Sequence, residues 1–110
     1  MKRSYIIVMV TSASREEAEK IAHSLLDEKL IACANIIGPV SSLFWWAGTV
    51  EGADEHIILM KSSQDLFQKL SDRVKALHSY EVPEIIALQI VKGSKTYMEW
   101  LDSCLLGEVL

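Results

Sequence analysis

Ile31-Ala-Cys-Ala-Asn-Ile-Ile-Gly-Pro-Val-Ser-Ser-Leu-Phe-Trp-Trp46, followed by Ala47-Gly48 and then Thr49 onward to His56-Ile-Ile-Leu-Met60, is the stretch that decides the fold. An apolar run of this length, broken by a Gly-Pro pair and closed by a small-residue turn, reads as two long strands joined in a hairpin. Gly38-Pro39 and Gly52 suit bulges or bends, because proline cannot donate to a strand ladder and glycine has no side chain to pack. At ~3.3 Å per residue a strand from Ile31 to Trp46 reaches roughly 50 Å, longer than a domain of this size is wide. Its tip carries Leu43, Phe44, Trp45 and Trp46, bulky apolar groups that in a lone chain either fold back onto their own sheet or face water. Together with an open sheet edge, this overhang predicts a closed oligomer with Phe44, Trp45 and Trp46 in subunit contact.

On the N-terminal side, Tyr5-Ile-Ile-Val-Met-Val10 is a continuous apolar strand. Ser14 precedes Glu17 by the capping-box spacing, and Ala18, Ile21, Ala22, Leu25 and Leu26 follow at helical intervals, which predicts a helix from about Ser14 to Lys29. On the C-terminal side, Ser62 with Asp65 opens a second helix whose face is Leu66, Phe67, Leu70, Val74 and Leu77. A fourth strand runs from Ile85 to Val91. A third helix begins near Thr96, with Glu99 at the capping-box position and Tyr97, Met98, Leu101 and Cys104 inward. Strand, helix, strand, strand, helix, strand is the order of a ferredoxin-like α+β domain. The expectation is one domain over residues 1–110: a four-stranded antiparallel sheet, helices on one face, a long hairpin between the second and third strands, and an added C-terminal helix.

The 110 residues carry 11 Lys plus Arg against 15 Asp plus Glu. With no basic stripe to neutralise phosphates, nucleic acid is an unfavoured partner. No apolar run approaches a membrane span. Met1-Lys2-Arg3-Ser4 resembles a signal n-region, but the apolar run behind it is too short for an h-region. Cys33 and Cys104 lie far apart without paired spacing, which suits a reducing compartment, so the cytoplasm is expected. Phosphate-cradling loops, HExxH and nucleophile elbows are absent, and a binding protein is expected over an enzyme.

The chemistry-bearing stretch is Leu77-His-Ser-Tyr-Glu-Val-Pro-Glu-Ile-Ile-Ala-Leu88. It packs an imidazole, a phenol and two carboxylates into seven residues, where Pro83 stiffens the chain and biases Val82 towards an extended conformation. His78 offers a borderline ligand, Glu81 or Glu84 supplies oxygen, and Cys33 offers the thiolate that copper(I) favours. A lone histidine beside a proline turn also suits a hydrogen-bonded structural group, and Cys33 a small buried hydrophobe. In a second reading, Tyr80, Glu81, Glu84, Lys61 and Trp100 line a cleft for a small molecule or protein. Cys104 reads as core. His23, between Glu19 and Asp27, sits on a solvated helix face, and His56 beside Asp54 and Glu55 makes a loose cation-attracting surface.

Three blocks, Ala32-Cys-Ala-Asn-Ile-Ile37, Ser41-Ser-Leu-Phe-Trp-Trp46 with Gly48, and His78-Ser-Tyr-Glu-Val-Pro-Glu-Ile-Ile-Ala87, together resemble the CutA divalent-cation-tolerance family, over Ile6 to Trp100. The resemblance implies a ferredoxin-like subunit in a compact homotrimer, with long strands pairing across subunits and a role linked to copper and other divalent metals. It implies no established catalytic activity. The chain has Ser79 and Gln89 where the family usually has proline. It also has Val10 and Leu77 where copper-coordinating members carry cysteine and histidine, leaving His78 as the matching ligand.

Overall fold

The computed structural model describes residues 3–107; Met1 and Lys2, part of the basic start noted above, and residues 108–110 lie outside the described residues. In chain order the elements are β1 (Tyr5–Ser12), α1 (Arg15–Asp27), β2 (Cys33–Trp46), β3 (Thr49–Ser63), a 3-10 turn (Gln64–Leu66), α2 (Phe67–Leu77), β4 (Ile85–Gln89) and α3 (Lys95–Cys104). The strands form one antiparallel sheet in the order β2-β3-β1-β4, so the ferredoxin-like plan expected from the sequence is the one observed.

Alternation along the strands sorts the sheet into two faces. Ile6, Val8 and Val10 of β1 and Ile58 and Met60 of β3 are buried against Leu25, Leu70, Val74 and Leu101 of the helices. Val10 is therefore a core residue, and Leu77 packs at the edge of the same cluster. The opposite face is apolar too. Ile7, Met9, Leu59, Ile86 and Leu88 share it through the pairings Met9↔Leu59, Met9↔Ile86 and Ile7↔Leu88. Ile86 and Leu88 are 46% and 55% exposed there.

The long hairpin is present, with β2 starting at Cys33 instead of Ile31, and the domain is 46 Å along its longest axis. Trp46 pairs with Thr49 across a two-residue turn in which Ala47 and Gly48 both have positive φ, 49° and 83°. That is the primed turn whose twist matches paired strands. The β2–β3 register shifts between Ile37 and Val40, at Gly38-Pro39, as the composition required. A Cβ on Gly38 would lie 2.6 Å from the His56 ring, so side-chain packing demands glycine there. At the tip Leu43, Trp45 and Trp46 are 76%, 75% and 65% exposed; they do not fold back onto their own sheet.

Several boundaries differ from expectation. Ser62 is not a helix cap: it continues β3 opposite Ile6, and its buried hydroxyl donates to the Leu30 carbonyl at 2.6 Å. Ser94, not a residue near Thr96, caps α3 by accepting from the Tyr97 N–H at 3.4 Å. Tyr97 consequently turns outward, 41% exposed, instead of inward. β4 stops at Gln89 because its partner β1 begins at Tyr5. α1 does start after Ser14, whose oxygen accepts from the Glu17 N–H at 3.1 Å. It ends at Asp27 in a Schellman arrangement, with Lys29 N–H to Leu26 O, Leu30 N–H to Leu25 O, and Lys29 at φ 58° in the left-handed position usually given to glycine.

Candidate functional site

β4 pairs with β1 only as far as Val10, so the carbonyl of Thr11 lies beyond the end of the neighbouring strand. His78, the first residue after α2, fills that gap. Its side chain is fully buried; Nε2–H donates to the Thr11 carbonyl at 2.7 Å, and Nδ1 accepts from the Tyr80 N–H at 3.0 Å. A carbonyl can only accept and an amide N–H can only donate, so these partners select one neutral tautomer. Glu17 secures the same turn from α1, accepting from the Ser79 N–H at 2.9 Å. Burial works against its ionisation, but the hydrogen bonds from Ser79 and the Ala13 N–H outweigh that and hold its carboxyl below the ordinary range.

Tyr80 then reaches across to β3. Its hydroxyl donates to Glu55 Oε2 at 2.7 Å, and its ring leans on His78 with centroids 4.7 Å apart. Burial first, and then the bond to Glu55, push the phenol up to about 12. Tyr80 is therefore a fixed donor to a carboxylate that is only 8% exposed.

This turn forms one wall of a cleft of about 820 Å³. Glu81, Val82 and Glu84 contribute from the turn, Leu43, Phe44 and Trp46 from β2, and Glu51 and Glu55 from β3. The lining holds four glutamates and no Lys, Arg or His among the described residues. Phe44 and Trp46, expected at a subunit contact, thus also face this cleft.

The remaining predicted residues lie elsewhere. Cys33 pairs with Lys61, which pairs with Ile7, four positions along β1 from Thr11, or roughly 13 Å at ~3.3 Å per residue. Lys61 Nζ donates to Asn35 Oδ1 at 2.6 Å. The Cys33 sulfur lies 3.6 Å from the Tyr97 hydroxyl, and Tyr97 contacts Trp100 at 5.5 Å. Cys33, Lys61 and Trp100 therefore gather at the other end of the sheet from Tyr80, Glu81 and Glu84.

Among the described residues no group of three or more His, Cys, Asp or Glu is placed to hold a metal ion. A soft histidine and cysteine copper site does not fit one chain: both His78 nitrogens are engaged by backbone groups, Cys33 is distant, and Val10 and Leu77 offer no donor. Of the cleft carboxylates, Glu55 is taken by the Tyr80 hydroxyl, which leaves Glu51, Glu81 and Glu84 to face a cation. Glu51 and Glu55 of the cleft, and Glu17 beside it, escaped the sequence reading as site residues. Glu55 appeared there only beside His56; the alternation that turns Glu51 and Glu55 to one face of β3 was the signal that could have joined them.

A ferredoxin-like domain with an overlong hairpin and an acidic turn beside it defines the class of protein. The family model for the CutA1 divalent ion tolerance protein matches residues 6–104. The divalent-cation tolerance protein CutA of Archaeoglobus fulgidus is 44% identical over 95 residues, covering 86% of this chain and 92% of that protein. The chloroplastic CutA of Arabidopsis thaliana is 44% identical over 98 residues, covering 89% of this chain; the chain spans about half of that relative's length, 54%. The solved structure of CutA1 from Oryza sativa superposes with a TM-score of 0.94 at 38% identity, covering 96% of this chain and 97% of the other. The chain belongs to the CutA1 divalent ion tolerance family.

Proposed function

We propose that this protein is a non-enzymatic homotrimer that takes divalent cations, copper(II) foremost, as cargo in the glutamate-lined cleft, within the cytoplasm. The observation that carries this reading is the cleft itself, whose lining among the described residues holds four carboxylates, one of them engaged by Tyr80, and no basic residue. Glu81 and Glu84, on the stiff Pro83 turn, are the proposed ligands. Oxygen donors suit divalent ions, and copper(II) heads the general affinity order at any such set. Trimerisation is supported by the helix-free apolar face around Met9, Leu59 and Leu88 and by the exposed tip at Trp45 and Trp46, which one closed assembly can bury. No helix among the described residues is long and apolar enough to cross a membrane.

A second reading is favoured by the apolar part of the cleft. Phe44, Trp46 and Val82 suit an organic ligand or a protein segment, in a signalling or scaffold trimer. Calorimetric titration of Cu2+, Zn2+ and Mg2+ into metal-stripped protein decides between them. The cation reading expects saturable binding, tightest for Cu2+, lost in the Glu81→Gln/Glu84→Gln variant. Heats that are unchanged in that variant would overturn it in favour of the organic ligand.

A further inference from the structure

We infer that His78 is a neutral clasp that positions the acidic turn, and that in this chain it is a positioning residue for the cleft and not a metal ligand. The inference deepens the cation reading, but the imidazole's part rests on its own geometry. The side chain is fully buried, and each ring nitrogen already has the partner its chemistry allows: the Thr11 carbonyl at 2.7 Å for Nε2–H and the Tyr80 N–H at 3.0 Å for Nδ1. Ligation through Nε2 would remove the proton and leave the Thr11 carbonyl without its donor. Ligation through Nδ1 would displace the Tyr80 amide. Either exchange leaves a partly buried backbone group without its partner.

The clasp sets the cleft through its neighbours. The Tyr80 N–H bond to Nδ1 closes a two-residue loop of the kind Asn and Asp side chains also make. That closure places the Tyr80 hydroxyl on Glu55 at 2.7 Å, and Glu81 follows directly on the rim, ahead of the rigid Pro83 and Glu84. Glu17 holds the same loop from the other side through the Ser79 N–H. Loss of the imidazole should therefore loosen the spacing of the turn carboxylates without removing any donor. Partners that orient metal-binding groups typically change affinity by about ten- to a hundredfold. That loss, at unchanged stoichiometry, is expected for His78→Ala. His78→Asn keeps an acceptor for the Tyr80 N–H and should recover most of the affinity.

The test is a long-range nitrogen–proton NMR spectrum of the intact protein during a Zn2+ titration, with His78 assigned by its absence in His78→Asn. The expected result is the Nε2–H tautomer, with both ring nitrogens unmoved at Zn2+ concentrations that saturate the protein in calorimetry. A Zn2+-dependent shift at either nitrogen, or the Nδ1–H tautomer, would overturn the proposal. If Zn2+ produces no heat at all, the cation reading of the cleft fails, while the tautomer still decides the clasp. Should His78→Ala fold poorly, His78→Asn decides by affinity: near wild type supports the clasp, and loss of binding overturns it.

Discussion

Replacing Tyr80 by phenylalanine removes one oxygen and leaves the ring that leans on His78. The lost bond is 2.7 Å long and ends on Glu55, a carboxylate only 8% exposed. Hydrogen bonds to charged groups contribute about 1.5–3 kcal/mol, and a buried acceptor left without its donor sits in that range, so the expected cost is ~2 kcal/mol. With a urea dependence of ~1–3 kcal/mol per molar for a domain of this size, the unfolding midpoint should fall by roughly 1 M. The assay is urea denaturation at one fixed protein concentration, because unfolding coupled to dissociation depends on concentration. Glu55→Gln and the double variant complete a cycle, which should return a coupling of at least ~1 kcal/mol. A Tyr80→Phe unfolding free energy within about 0.5 kcal/mol of wild type would refute the claim that this bond holds the turn against β3.

Three other outcomes are expected. Lys29→Gly relieves a non-glycine residue at φ 58° and should raise thermal stability, by up to ~1 kcal/mol; a lower melting temperature would contradict the strain argument. Asp102 is held below its ordinary 3.8, first by the Tyr5 hydroxyl at 2.6 Å and then by Arg3. A depressed carboxyl stabilises the fold above its ordinary value, and that contribution is lost as pH falls through the folded-state value. The stability gap between wild type and Asp102→Asn, read from melts between pH 7 and 2, should therefore be full at neutral pH and close below about pH 4. A gap independent of pH would exclude the network as its source. Trp46→Asp, at a tip residue 65% exposed in the single chain, should dissociate the assembly or prevent folding; an intact trimer by mass would show that the tip lies outside the contacts.

The order of elements and the hairpin were legible because their signals are periodic and local. β-Branched runs, the Ser14 and Glu17 spacing and the small-residue turn at Ala47-Gly48 each act within a few residues. The boundaries that moved were settled by distant partners: Ser62 stays in β3 because Ile6 and the Leu30 carbonyl receive it, and β4 stops where β1 begins. The candidate site was legible as a stretch but not as a geometry. Whether His78 is open or engaged depends on β4 starting opposite Val10, one residue short of Thr11, which no spacing reveals. Glu51 and Glu55 join Glu81 only through the fold. Cys33 joins the turn on thiolate chemistry, and Lys61 and Trp100 on an expected convergence of strand ends; strand register and the Cys33–Tyr97–Trp100 contacts place all three at the far end.

Native mass spectrometry of metal-stripped protein with increasing Cu2+ tests the proposed trimer and its cation cleft together. The expected species has three times the 12.3 kDa chain mass and gains copper in the wild type but not in Glu81→Gln/Glu84→Gln. A monomer, or copper uptake that ignores both substitutions, would contradict it.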